Sequence, residues 1–206
     1  MKSTRIAGLH YWGEFQADRR IDFNGWFWER SGGNVLIDPM PLDEAGVAFL
    51  RERGGVQWIL VNNADHLRAA ALLGRDLDAE LIAPAAERER LGEAAMSVRH
   101  WFETAADLPG GLADEVEVVP LAGGKSPMEP AFHLKPLSAL YFGDLVRSHE
   151  TGALRLLPDP KISDRAAVVA SLQPLKGATP DAILLGDGDP ILSGAAGALE
   201  SLLGSL

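Results

Sequence analysis

The stretch Trp58–His66, WILVNNADH, decides how this sequence is interpreted. Its first four residues are apolar at every position, which is typical of a strand that is buried on both faces of a sheet. The polar residues that follow end the strand and lead into an alanine-rich segment, 66–73, for which we predict a helix. A short apolar run, a polar turn and a helix in succession predict a sheet with helices packed against it.

The same order of elements recurs elsewhere in the chain. Asn34–Ile37 predicts a strand, and Asp43 predicts the cap of a helix that Gly54 and Gly55 end. Segment 92–114 shows no clear period, so we predict loop and short helix there and leave open whether it forms a lid. An aromatic cluster at 23–28 predicts a hairpin or an edge strand. Further strands are predicted over 81–83, 116–119, 131–134, 138–142 and 182–185, and helices over 164–175 and 190–203.

Composition limits the class of protein. The chain has 206 residues, 19 lysines and arginines against 29 aspartates and glutamates, a net charge of −10 and no cysteine. These values predict a single domain over 1–206 with no disulfide, thiolate zinc site or cysteine nucleophile. The acidic balance argues against nucleic-acid partners and anionic membrane surfaces. No apolar run is long enough for a membrane span and no secretory signal is present, so we expect a soluble cytoplasmic protein.

Four predicted strands are followed by carboxylates. The residues concerned are Asp38, Asp65 with the adjacent His66, Asp144, and Asp187. The carboxyl ends of strands form the edge of an α/β sheet where ligands bind, so we expect these side chains to converge. Taken singly, each aspartate is also explained as a helix cap or a turn residue.

Five segments in the correct order resemble motifs of the metallo-β-lactamase fold family. The resemblance runs from about Phe23 to the C-terminus, and it implies an α/β (α+β) fold, a four-layer αββα sandwich. The matching family elements are, in order, the "vLID" strand, the H-x-H-x-D-H metal motif, the "GH-T/S-PG" loop, the strand of the bridging aspartate and the closing "vlpGHGdp" turn. They correspond here to Asn34–Asp38, Trp58–Arg68, Gly124–Glu129, Tyr141–Asp144 and Ala182–Pro190.

The metal motifs depart from the family pattern at the ligands of the first metal site. The two leading histidines fall at Val61 and Asn63, and the histidine of the middle loop is replaced by Lys125. The first metal site of the family has therefore lost its nitrogen ligands. The resemblance implies that the second site remains, with Asp38 supporting it. Its four ligands would be Asp65, His66, Asp144 and Asp187, which suit one divalent ion of iron, manganese, magnesium or zinc.

Two functions follow, and the sequence leaves both open. In the first, the chain is a hydrolase of a small ester, thioester, amide or phosphoester, with Lys125 and Asp65 as catalytic groups and Asn63 and Arg147 contacting an anionic substrate. In the second, Lys125 pairs with Asp144 and an arginine takes another acid. The protein is then a metal-free binding module for a small anion. A β-lactamase activity is not supported, and the oligomeric state is not determined by the sequence.

Overall fold

The computed structural model describes residues 1–206, and it confirms the predicted mixed α/β class. Contacts divide the chain into two compact units, residues 1–14 with 24–114, and residues 15–23 with 115–206. No helix combines the length and the apolar character that crossing a bilayer requires.

A seven-stranded sheet forms most of the first unit, and its strands follow the order of the sequence. Strand β4 pairs antiparallel with β3, whereas β4, β5, β6 and β7 run parallel. Parallel pairing places the carboxyl ends of β4 and β5 at the same edge, because Ile37 lies opposite Leu60. The strands are β1 Lys2–Ser3, β2 Leu9–Gln16, β3 Ile21–Trp28, β4 Val35–Ile37, β5 Trp58–Leu60, β6 Glu80–Pro84 and β7 Val98–Phe102, and the helices are α1 Glu44–Glu52, α2 Ala70–Leu77, α3 Arg88–Leu91 and α4 Leu112–Glu115.

A four-stranded sheet and a two-stranded ribbon form the second unit. The sheet order is β13-β10-β9-β8, and β13 runs parallel to β10, with Phe142 opposite Leu185. Its apolar core packs around β10, β13 and the two helices of the unit. The elements are β8 Val116–Leu121, β9 Glu129–Leu134, β10 Ala139–Phe142, the ribbon β11 Val146–Glu150 with β12 Ala153–Leu156, α5 Arg165–Leu172, β13 Ala182–Leu185 and α6 Ala196–Gly204.

Several predicted elements are confirmed because their signals were local. Asp43 caps α1 by accepting a hydrogen bond from the Gly46 amide at 2.8 Å. The buried run at Trp58 is a strand, and the strands predicted over 131–134 and 138–142 are β9 and β10, which pair antiparallel. The helix predicted over 164–175 is α5 followed by a 3₁₀ turn at Gln173–Leu175.

Two predicted helix starts are wrong, and the loop and short helix predicted over 92–114 are confirmed in part. Residues 64–66 form a 3₁₀ turn, because the Asn63 side chain accepts from the Asp65 amide at 2.9 Å, and α2 begins later, at Ala70. The last helix begins at Ala196 rather than at residue 190, because Ile191 and Ile183 exchange backbone hydrogen bonds that keep this segment extended. Segment 92–114, predicted as loop and short helix, also contains strand β7.

Candidate functional site

Asp38 organises the end of β4 in the first unit. It is completely buried and has a positive φ of 45°. One carboxylate oxygen accepts from the Asn62 amide at 2.7 Å, and the other lies 2.6 Å from Nδ1 of His66. Asp38 therefore fixes both the turn that follows β5 and the ring of the histidine on that turn, which is the contact that its predicted supporting role requires.

His66 is contacted at both ring nitrogens. Its Nε2 lies 3.3 Å from a guanidinium nitrogen of Arg68. Because a guanidinium only donates, Nε2 must accept, which assigns the ring proton to Nδ1 and directs it to Asp38. Arg68 also donates to the Asn24 carbonyl at 2.8 Å, and this second hydrogen bond holds its guanidinium beside Nε2 of His66.

Asp65, predicted as a metal ligand and a catalytic group, lies on the outside of the same turn. Its side chain is 44% exposed and forms an ion pair with Arg90 at 3.3 Å. Arg90 also pairs with the buried Glu87 at 2.7 Å, and Glu87 accepts from the Ala64 amide at 2.8 Å. These contacts give Asp65 a place in the packing of the turn within the first unit.

Asn63, predicted to contact substrate, is completely buried. Its side-chain oxygen accepts from the Asp65 amide, and its side-chain nitrogen donates to the Asn62 side chain at 3.0 Å. These hydrogen bonds hold the turn that carries His66.

Asp144 and Asp187 follow the parallel strands β10 and β13 of the second unit at the same end of the sheet. Both are buried. The backbone at Asp144 is held by Glu129, whose carboxylate accepts from the amides of Asp144 and Leu145 at 2.8 and 2.7 Å. Glu129 is the buried first residue of β9, and its burial follows from the pairing of β9 with its neighbours, which no local motif of the sequence signals.

Arg147 joins the two aspartates and Lys125 binds one of them, and we call Lys125, Asp144, Arg147 and Asp187 the aspartate–cation network. Lys125 Nζ lies 2.8 Å from Asp144 Oδ2, and an Arg147 nitrogen lies 3.1 Å from Asp144 Oδ1. The same Arg147 nitrogen lies 2.9 Å from Asp187 Oδ2. The formal charges of the four groups cancel. Arg147, predicted to contact an anionic substrate, is only 7% exposed and binds the two acids.

Gly188 allows the backbone at Asp187 to approach β11. Its φ is +102°, and a Cβ built on it would lie 1.8 Å from the Ser148 carbonyl oxygen. Any larger residue would push the two segments apart, because this close approach is between backbone atoms. The glycine thus sets the separation between Asp187 and the strand that carries Arg147.

Comparison with known proteins identifies the family. A family model described as "Metallo-beta-lactamase superfamily" matches residues 1–206. This chain belongs to the metallo-β-lactamase superfamily. No curated protein matches the sequence.

Solved structures show that the chain has the metallo-β-lactamase fold predicted above. A metallo-β-lactamase from Erythrobacter litoralis with β-mercaptoethanol in its active site is similar with a TM-score of 0.71 and 15% identity, over 99% of this chain and 96% of that one. The DIM-1 metallo-β-lactamase gives 0.70 and 16%, over 99% and 96% of the two chains. TTHA1623, solved in a di-iron-bound form, gives 0.61 and 26%, over 82% and 89%.

The superfamily binds divalent metals, so the donor set of this chain has to be tested against one. His66 in the first unit, and Asp144 and Asp187 in the second, are buried side chains of ligand type. Each of them contacts a cationic side chain at a ligand atom: Arg68 at His66, Lys125 and Arg147 at Asp144, and Arg147 at Asp187. Like unit charges about 4 Å apart repel by roughly 4 kcal/mol at an effective dielectric constant near 20. In this arrangement the residues do not fit a bound divalent metal.

Proposed function

We propose that this chain is a metal-independent member of the superfamily that binds a small anionic molecule at its aspartate–cation network. One observation carries the proposal. Both carboxylate oxygens of Asp144 are engaged by side-chain cations, at 2.8 Å by Lys125 and at 3.1 Å by Arg147. The charge that a metal would balance is therefore balanced by the protein itself.

The aspartate–cation network has no excess of acids for a metal to neutralise. Asp65 pairs with Arg90 on the outside of its turn, so it does not add to the buried charge. Arg147 adds a second positive charge beside Lys125. Two carboxylates and two cations form a neutral set that needs no further counter-ion.

Lys125 and Arg147 differ in what they offer a ligand. The Lys125 side chain is 25% exposed, whereas Arg147 is 7% exposed and held by two acids. An incoming anion therefore reaches Lys125 first, and an ammonium group attracts phosphate or carboxylate as a compact point charge. We assign Arg147 to holding the two aspartates in place and Lys125 to contacting the anion.

A second candidate function is a hydrolase of small esters, thioesters, amides or phosphoesters with one divalent metal. The buried carboxylates of Asp144 and Asp187 favour it, as does the similarity to TTHA1623, solved in a di-iron-bound form. This function requires Lys125 and Arg147 to leave the carboxylate oxygens that they contact.

Metal analysis separates the two functions. Protein purified without chelator and without a metal-binding tag should contain substoichiometric metal, and its thermal midpoint should not change in EDTA. Bound metal at one equivalent per chain that disappears in Asp144→Ala and Asp187→Ala would instead establish the second function.

Binding of inorganic phosphate, measured by calorimetry and by the shift in thermal midpoint, tests the anion site. Wild type should bind and Lys125→Met should not. Lys176→Met is the matched control, because Lys176 is exposed at the end of the 3₁₀ turn Gln173–Leu175, and it should bind as wild type does. Equal binding by wild type and Lys125→Met would contradict the proposal.

A further inference from the structure

Ser3, His10 and Glu29 of the first unit form a linear chain of hydrogen bonds that the proposed function does not use. Ser3 Oγ lies 3.0 Å from His10 Nδ1, and His10 Nε2 lies 2.6 Å from a Glu29 carboxylate oxygen. Ser3 and His10 are direct cross-strand neighbours on β1 and β2. A hydroxyl, an imidazole and a carboxylate in this order are the parts of an activated serine nucleophile.

The hydrogen-bond chain has a defined direction. An ionised carboxylate only accepts, so His10 Nε2 carries the ring proton and donates it to Glu29. His10 Nδ1 is then the acceptor, and the Ser3 hydroxyl donates to it. The imidazole is therefore placed to take the serine proton while the carboxylate stabilises the resulting positive charge. In the usual triad Nε2 faces the serine and Nδ1 faces the carboxylate. Here Nδ1 faces Ser3 and Nε2 faces Glu29.

The base and the carboxylate are held in place by their surroundings. His10 is 7% exposed, and its ring packs on Phe27 and Phe49 at centroid distances of 5.7 and 5.1 Å. Glu29 pairs with Arg53 at 3.5 Å, and its amide donates to the Gly8 carbonyl at 2.7 Å. Ordered partners of this kind keep a base aligned with its nucleophile.

Ser3 lies at an open edge where a substrate can reach it. It is exposed, and β1 is the first strand of its sheet. The Thr4 amide donates to the Leu9 carbonyl at 3.0 Å, so Ser3 and His10 form a non-hydrogen-bonded pair. The Ser3 amide consequently points away from β2, towards the open edge, where it can donate to a developing oxyanion.

We propose that Ser3 is a nucleophile that transfers the acyl group of small activated esters to water. Its Oγ forms a bond to the acyl carbon while its proton moves to His10 Nδ1. The carbon–oxygen bond to the leaving alcohol or phenol breaks, and the leaving group takes that proton. Water then attacks the acyl-serine while His10 accepts its proton. The bond between the acyl carbon and Ser3 Oγ breaks, Oγ takes that proton from His10, and the products are the carboxylic acid and free Ser3.

The test uses 4-nitrophenyl acetate with the full chain and follows nitrophenolate release together with peptide mapping of the acetyl group. Acetylation should map to Ser3 and disappear in Ser3→Ala. His10→Asn should lower its rate by about 100-fold or more, the contribution expected of a general base. Ser31→Ala, at an exposed loop serine, is the matched control and should react as wild type does.

Two results would overturn the proposal. One is the absence of an acetyl group on Ser3, and the other is equal acetylation of Ser3 in wild type and His10→Asn. If His10→Asn fails to fold, Glu29→Gln replaces it, because Glu29 is partly exposed and the substitution keeps its shape. Unchanged Ser3 acetylation in a folded Glu29→Gln protein would equally contradict the mechanism.

Discussion

Replacing Arg147 by methionine tests the aspartate–cation network directly. In wild type, one Arg147 nitrogen lies 3.1 Å from Asp144 and 2.9 Å from Asp187. Methionine keeps the apolar stem of the side chain but removes the charge. The network of four groups then keeps one cation and two buried carboxylates, so its formal charge changes from zero to −1.

The expected loss of stability follows from the burial of these groups. Removing one partner from a buried ion pair costs about 3–5 kcal/mol, because the remaining charge stays out of water. For a chain of this length, each kcal/mol lowers the thermal midpoint by roughly 2–4 °C, so we expect a drop of about 6–20 °C. Arg155→Met is the matched control. Its pair with Glu150 at 3.3 Å is exposed, and such pairs contribute about 0–1 kcal/mol.

The same variant should acquire affinity for metal. Once Arg147 is removed, Asp144 and Asp187 can share a divalent ion. Added Zn²⁺ or Mn²⁺ should then raise the thermal midpoint of Arg147→Met and leave that of wild type unchanged. At a metal concentration 100 times the dissociation constant, the gain in free energy of unfolding is about 2.7 kcal/mol. The reasoning is refuted if Arg147→Met is as stable as Arg155→Met, or if wild type gains as much from the metal as the variant does.

Three further predictions concern other parts of the chain. Asp38→Asn should keep its backbone conformation, since asparagine tolerates a positive φ. It should lose the acceptor for His66, and with it about 1–3 kcal/mol in free energy of unfolding, measured in urea. Gly188→Ala should cost about 1–3 kcal/mol or more in the same assay, because its Cβ would overlap the Ser148 carbonyl. Hydrogen bonds from the backbone of Thr104 and Glu103 lower the pKa of Asp107, so its stabilising contribution is present above its ordinary pKa and is lost as the pH falls through the lowered value. Asp107→Asn should flatten the acid limb of the stability–pH curve.

Each of these has a control and a contradicting outcome. Asp38→Ala should be less stable than Asp38→Asn, and the reverse order would mean that backbone conformation does not matter there. For Gly188→Ala, the same change at Gly152 is the control for a positive φ without overlap, since nothing lies within 4 Å of its added Cβ. An equal loss at both positions would exclude the close approach as the cause. An unchanged acid limb in Asp107→Asn would show that its hydrogen bonds do not stabilise the fold.

The sequence predicted the elements whose signals are local. Trp58–Leu60 and Ala182–Leu185 are continuous apolar runs, and both are fully buried strands. Burial of such a run is favoured because it removes apolar surface from water. The helix starts near 66 and 190 were wrong for a different reason. In both places a hydrogen bond to another residue, at Asn63 and at Ile183, overrides the local preference of the chain.

The candidate site was predictable in its residue types and not in its contacts. A carboxylate that follows a strand can bind a metal, a lysine or an arginine, and its position in the sequence does not distinguish these partners. Arg147 lies three residues after Asp144, which brings it within reach, but its second contact with Asp187 depends on the pairing of β10 and β13. Asp65 follows the same strand as His66, and the 3₁₀ turn directs it outward.

The interleaving of the two compact units along the chain affects how the protein folds as it is synthesised. Residues 15–23 emerge early, yet they belong to the unit that residues 115–206 complete. Phe23 bridges to Asp187, and the Asp22 carbonyl accepts from the Gly188 amide at 2.8 Å, so these bonds form only after nearly the whole chain has left the ribosome. A nascent chain cut at residue 114 would present residues 15–23 without Asp187 and Gly188, to which they bond. The fragment 115–206 would in turn lack residues 15–23 of its own unit.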